Sequence, residues 1–278
     1  MSVSLDRLQA LRRQSGVPTP AAATPAAVEE HDPLQDQLAR LRSLLRVKRG
    51  PVPSVAPATD RMIPGREIAP GLWLQEECLA LDGAWPCALD GTFDRRDPIP
   101  TRDLLFFDTE TTGLAGGTGT RAFMIGAADV TSAGLRVRQL TIANTLAEPA
   151  MLEAFRTWLS PETVLSSYNG KSYDAPLLKT RYRLMRQREP LSMLAHVDLL
   201  YPTRRLYRGV YENCRLATIE RRVLGIVRED DLPGSEAPGA WLGYLRGGSA
   251  QLLRRVVQHN RQDVVTLARL ALHLAAPR

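Results

Sequence analysis

The residues able to do chemistry begin with Leu104-Leu105-Phe106-Phe107-Asp108-Thr109-Glu110-Thr111-Thr112-Gly113-Leu114. Four apolar residues run straight into two acids spaced i, i+2. A short apolar run that ends in polar turn residues reads as a buried strand. Side chains two apart on a strand share a face. Asp108 and Glu110 would therefore stand side by side at the end of a core strand. Two carboxylates held that close repel, and burying them unpaired is costly. A divalent cation between them would resolve the conflict, because hard cations take carboxylate oxygens. An isolated acid pair is more often a solvated strand end, so the metal reading requires partners elsewhere in the chain.

Two further stretches offer partners. In Ser167-Tyr168-Asn169-Gly170-Lys171-Ser172-Tyr173-Asp174, an Asn-Gly turn precedes an acid that opens a helix. Asp174 can cap that helix or face the acid pair. Asn169 can bind its own turn or a substrate phosphate. Lys171 is either a solvated turn lysine or a phosphate contact, and Tyr173 either packs or stacks on a base. In Val256-Val257-Gln258-His259-Asn260-Arg261-Gln262-Asp263-Val264, His259 and Asp263 are four apart on a helical pattern. They share one face, an imidazole one turn from a carboxylate. This suits either a local His–Asp hydrogen bond or a metal-binding acid with a general base beside it.

The elements that must position these residues follow from periodicity. Strands are expected at 104–108, 123–130 and 135–143 as a meander, then a helix over 149–159 and a strand at 164–167. Helices follow over 175–187 and 214–224, with a mixed stretch 190–211 between them. A turn-rich loop at 228–237 leads to helices at 238–246 and 249–275. The class is α/β, a mixed sheet flanked by helices. Three regions are expected: a flexible arm over 1–60 with two short amphipathic helices between Pro-rich linkers, a small β lead-in over 61–98, and the main domain over 99–278. The arm reads as a disordered tail or as a docking segment for a partner.

Composition sets the outer bounds. The 278 residues are 44% hydrophobic and 24% charged, which is ordinary for a globular protein. The net charge is +6 and the isoelectric point about 9.5, so an anionic partner fits. From Lys171 onward basic residues outnumber acidic ones nearly two to one. Arg204, Arg205, Arg208, Arg215 and Arg261 are candidate strand contacts there, and Tyr173, Tyr207 and Tyr211 candidate stacking platforms. Cys78, Cys87 and Cys214 form no C-x-x-C and no disulfide framework, so zinc is not expected. No secretory pattern opens the chain, and no apolar run approaches the roughly 18–20 residues of a membrane span. A cytoplasmic protein without a membrane partner is expected.

Together, Asp108-x-Glu110, Asn169-x-x-x-Tyr173-Asp174 and His259-x-x-x-Asp263 resemble the three motifs of the DEDD superfamily of 3′→5′ exonucleases, on the ribonuclease H-like fold. The tyrosine subclass has Tyr four residues before the last Asp, and the histidine subclass has His five before. Here a His occupies the tyrosine spacing. The stretches Asp198-Leu199-Leu200-Tyr201-Pro202, Cys214-Arg215-Leu216, Asp230-Asp231-x-Pro233-Gly234 and His259-Asn260-Arg261 bring the chain closer to the YprB-like family. That resemblance covers about residues 65–276. It implies two Mg²⁺ or Mn²⁺ ions. Asp108 would bridge them, Glu110 and Asp263 would complete the site of the ion that binds the nucleophilic water, Asp174 would serve the second, and His259 would accept the water's proton. Asp198 is either a supporting acid or a helix cap. Thr111, Asn169, Lys171, Tyr173 and Arg261 are the candidate substrate contacts. The implied activity is a metal-dependent 3′→5′ exonuclease on single-stranded or 3′-tailed nucleic acid, with DNA in repair as the expected setting. An RNA exonuclease, a structure-selective endonuclease, or a non-catalytic nucleic-acid-binding module recruited to a helicase are the alternatives. A monomer with a helicase partner is the expected assembly.

Overall fold

Leu104, Leu105, Phe106 and Phe107 are all buried, which a strand achieves only when both faces of its sheet are covered. A computed structural model describes residues 59–278, apart from residues 82, 114–118, 230 and 278. The arm expected over 1–60, with its two helices and its helicase docking role, thus lies outside the described residues except for Thr59 and Asp60. The described residues belong to one compact unit.

In chain order the strands are β1 (Arg66–Ala69), β2 (Leu72–Leu79), β3 (Ala88–Leu89), β4 (Ile99–Pro100), β5 (Leu104–Thr111), β6 (Ala122–Thr131), β7 (Gly134–Ile142), β8 (Val164–Ser167) and β9 (Ala195–Asp198). The helices are α1 (Glu148–Arg156), α2 (Asp174–Leu184), α3 (Leu200–Tyr207), α4 (Leu216–Ile219), α5 (Ala237–Leu245) and α6 (Gln251–Ala275). Seven strands form one sheet in the order β1-β2-β7-β6-β5-β8-β9. From β1 to β5 neighbours are antiparallel; β5, β8 and β9 are parallel. The mixed sheet flanked by helices is the ribonuclease H-like architecture expected.

The side chains of β5 split between two cores. Leu105 and Phe107 join Met151, Phe155, Leu178 and Trp241 on one face. Leu104 and Phe106 join Val137, Val197, Val264 and Leu267 on the other. The long helix α6 reaches both clusters, through Val256 on one side and Val264 on the other. A buried ion pair ties α2 to α1: Arg181 Nη2 lies 2.7 Å from Glu148 Oε2. This fixes the helix that begins with Asp174.

Three regions differ from the sequence expectation. The lead-in does not stand apart, because β2 pairs with β7 along its whole length. The stretch 190–211 contains β9 and α3, which its apolar residues, without a clear period of two or of 3.6, do not separate. The expected helix over 214–224 is a single α turn followed by a π-helical segment over Glu220–Leu224, closed by Gly225 at φ 68°.

Candidate active site

Parallel strands β5 and β8 pair only from Leu104 to Phe106. Beyond that point β8 ends and β5 runs on alone along that edge. The gap lies outside the carboxyl ends of parallel strands, where open α/β sheets place their ligand crevices. A cleft of about 390 Å³ opens there, lined by Asp108, Thr109, Thr111, Asn169, Tyr173 and Asp174 among others.

Each acid arrives on its own support. Asp108 and Glu110 come on β5. Asp174 comes from the first turn of α2, and the Thr109 hydroxyl donates to its Oδ1. Asp263 comes from the middle of α6. The fields of the four overlap. Burial, first, and then the charges of Asp263, Asp174 and Glu110 push Asp108 well above the usual carboxylate range. Burial and the charges of Asp263 and Asp174 do the same to Glu110. Asp174 is raised to about 6, and Asp263 is raised as well, both mainly by burial. The charges of Asp174 and Asp263 thus act on both acids of β5, and burial raises all four; of the four, Asp108 and Asp174 line the cleft, and Glu110 and Asp263 do not.

One support for Asp108 was not anticipated. Asn260 is fully buried and donates to Asp108 Oδ2 at 3.0 Å. Its Oδ1 accepts from Gln139 Nε2 at 2.9 Å, and the same nitrogen reaches Val257 O at 2.8 Å. The room comes from Gly126, which pairs with Asp108 across β6: a Cβ there would lie 1.9 Å from Asn260 Oδ1. The sequence carries a signal for this. Asn260 falls on the buried stripe Val256–Asn260–Val264, where a polar side chain must have partners.

On the other side of Asp263 lies a charge cluster. Arg228 donates to Asp263, to both oxygens of buried Glu220 at 2.7 Å, and to Asp231 at 3.2 Å. Thr266 also donates to Glu220. His259 Nδ1 is 2.7 Å from Asp231 Oδ1, and its Nε2 is 3.5 Å from Asp263 Oδ2. Arg228 Nη1 also lies 3.2 Å from Nδ1; the shorter contact, to a carboxylate that can only accept, calls for a proton on Nδ1, which in a neutral ring leaves Nε2 as the acceptor.

The remaining expected residues distribute as follows. Thr111 lines the cleft and bonds Gly113 O at 2.9 Å. Tyr173 stands 60% exposed at its rim. Asn169 adopts φ 67°, a left-handed conformation that Asn tolerates. Its N–H, with those of Lys171 and Leu200, is held by the fully buried Asp198 at 2.7–3.1 Å. Asp198 therefore both caps α3 and clamps the turn before Asp174. Lys171 is exposed and off the cleft lining. Arg261 lies with His259 in a neighbouring groove of about 460 Å³, where Glu77 takes its guanidinium.

The donor set suits a hard divalent cation: only oxygens, crowded and short of compensating charge. The cage is not closed in this structure. Among the described residues no three His, Cys, Asp or Glu side chains converge as a ready metal group. Asp108, Asp174 and Asp263 each give an oxygen to Asn260, Thr109 and Arg228 instead.

Comparison with known proteins decides the family. A family model described as the RNase H superfamily matches residues 105–275. The chain belongs to the RNase H superfamily. All four acids fall inside the matched segment, and membership supports nuclease activity on nucleic acid in general. An uncharacterized protein of Bacillus subtilis strain 168, YprB, is 38% identical over 174 residues, 62% of this chain. This chain spans only 42% of that relative's length. A family B DNA polymerase from Pyrobaculum calidifontis aligns at 16% identity with a TM-score of 0.49, over 65% of this chain and 25% of that one. Among the described residues no helix is long and apolar enough to cross a membrane.

Proposed function

We propose that this RNase H-superfamily chain is a metal-dependent 3′→5′ exonuclease acting on single-stranded or 3′-tailed nucleic acid, with DNA in repair as its setting. One observation carries the reading. Asp108 and Glu110 on β5 stand in the fields of Asp174 on α2 and Asp263 on α6, with Asp108 and Asp174 lining a cleft at the open end of a parallel strand pair and His259 beside Asp263. A fold bears that repulsion only where something offsets it.

Asp108, Glu110, Asp174 and Asp263 would hold two divalent cations, Mg²⁺ or Mn²⁺. When bound, such ions supply positive charge to the attacking and leaving oxygens of a phosphodiester. The chain's own residues do the rest. Asn260 sets the rotamer of Asp108. Asp231 holds the Nδ1 proton of His259, so Nε2 can accept a proton from the attacking water. Tyr173 offers an exposed ring at the rim for a terminal base, and Thr111 and Asn169 offer polar contacts to the sugar and phosphate. Arg261, engaged by Glu77, and Lys171, off the lining, are left out of the immediate site.

The test uses the full chain with oligonucleotides labelled at the 5′ or the 3′ end, as DNA and as RNA, with Mg²⁺ or Mn²⁺. A 5′-labelled DNA ladder that shortens stepwise is expected, with immediate release of a 3′ label. Preference for RNA would change the substrate assignment, and internal cuts would make the protein an endonuclease. No metal-dependent cleavage of any strand would refute the proposal.

A further inference from the structure

The five arginines singled out as strand contacts are not equivalent. Arg261 is consumed by Glu77, and Arg205 donates to Phe93 O. Arg204, Arg208 and Arg215 have no ion-pair partner among the described residues, and all three are exposed. They gather around one pocket of about 420 Å³, formed by the end of α3 and the loop to α4. The acid on its lining, Glu212, is already neutralised by Arg221 at 2.5 Å and Arg222 at 3.5 Å. The pocket's own three charges are therefore uncompensated. The groove beside His259 differs: there Arg228 and Arg261 are both bound by carboxylates.

The pocket adjoins the cleft through one residue. Tyr168 lines the cleft, and its hydroxyl donates at 2.6 Å to the backbone carbonyl of Cys214, which lines the pocket. Tyr211, stacked on Tyr207 with ring centroids 5.6 Å apart, closes another side. Guanidinium groups match phosphate oxygens in planar, bidentate fashion. Three of them beside a phosphodiester-cleaving cleft form a backbone-holding site rather than a base-reading one.

We infer that the Arg204/Arg208/Arg215 pocket is a second nucleic-acid site, which grips the phosphodiester backbone of the strand whose end lies in the carboxylate cleft. The inference rests on the nuclease reading but is tested by binding. It assigns to the pocket the part of the affinity that depends on salt.

The experiment measures binding of fluorescent single-stranded DNA and RNA to the full chain in EDTA, across a salt series. The proteins compared are the wild type, the triple variant Arg204→Gln/Arg208→Gln/Arg215→Gln, and a control triple with the same loss of charge at exposed sites elsewhere, Arg66→Gln/Arg183→Gln/Arg188→Gln. Thermal denaturation checks that each folds. At about 0.7 per phosphate contact for single strands, losing three contacts should flatten the slope of log K against log salt by about 2 and weaken binding at least about tenfold near 0.1 M salt. The control should change the slope by less than about half of that. Arg204→Lys/Arg208→Lys/Arg215→Lys should keep most of the slope. Equal slopes for the pocket and control triples would overturn the inference, as would failure of the wild type to bind either strand. If the wild type cleaves with metal while the pocket triple binds normally, the pocket fails and the nuclease reading stands. If the pocket triple loses binding and no protein cleaves, the reverse holds.

Discussion

Replacing Asp174 with Asn should make the metal-free protein more stable. Burial is the main reason Asp174 sits at about 6 when its ordinary value is 3.8. One pKa unit is worth about 1.36 kcal/mol, so ionising Asp174 inside the fold costs roughly 3 kcal/mol at neutral pH. The sign follows from the direction. The folded value is raised above the unfolded one, so the stability it contributes is complete below about 3.8 and lost as pH rises through about 6. At pH 7.5 the wild type bears the full cost and the Asn variant bears none. The Asn oxygen can still accept the Thr109 hydroxyl, so that hydrogen bond is kept. Urea denaturation in EDTA at pH 7.5 and pH 4 measures both limits. The variant should gain about 2–3 kcal/mol at pH 7.5, and the gain should shrink to within about 0.5 kcal/mol at pH 4. Added Mn²⁺ should stabilise the wild type and leave the variant nearly unchanged. A variant less stable than wild type at pH 7.5, or a difference independent of pH, would refute the reasoning.

Three other substitutions probe the supports. Gly126→Ala drives a Cβ into Asn260, with contacts of 1.9 and 2.8 Å, and should cost at least about 1–3 kcal/mol with a large loss of activity; adding Asn260→Ala should recover stability but not activity. Asp198→Asn replaces an acceptor of three backbone N–H groups with one that faces a donor toward them. About 2–4 kcal/mol should be lost, with faster hydrogen exchange at the amides of Asn169 and Lys171. Arg228→Gln strips the partner from buried Glu220 and should cost about 3–5 kcal/mol in thermal or urea denaturation, and Arg228→Gln/Glu220→Gln should recover most of it.

The sequence exposed the acids because each sits in a strong local pattern. An apolar run ends at Asp108, a turn precedes Asp174, and a helical stripe carries Asp263. The meander and the long last helix were legible for the same reason. What stayed hidden depends on contacts across long stretches of chain. Nothing near Gly126 indicates that its missing side chain makes room for Asn260, 134 positions away, and nothing near Arg228 points to Asp263. Strand β9 has only four residues, Ala-His-Val-Asp, and its pairing with β8 supplies a signal that its composition lacks. The π-helical segment after α4 places Glu220 against Thr266, and a plain helix was the natural reading of its periodicity. Asp231 lies in Asp230-Asp231-x-Pro233-Gly234, but its hold on His259 depends on how the 228–237 loop meets α6.

The central claim is that Asp108, Glu110, Asp174 and Asp263 act as one metal site. Calorimetric titration of Mn²⁺ into the wild type and into each single Asn or Gln variant tests it most directly. The account predicts saturable binding by the wild type, with proton release because the raised carboxylates must ionise, and weakening of about tenfold or more in every one of the four variants. Binding that survives unchanged in any two of them, or no saturable Mn²⁺ binding by the wild type, would contradict it.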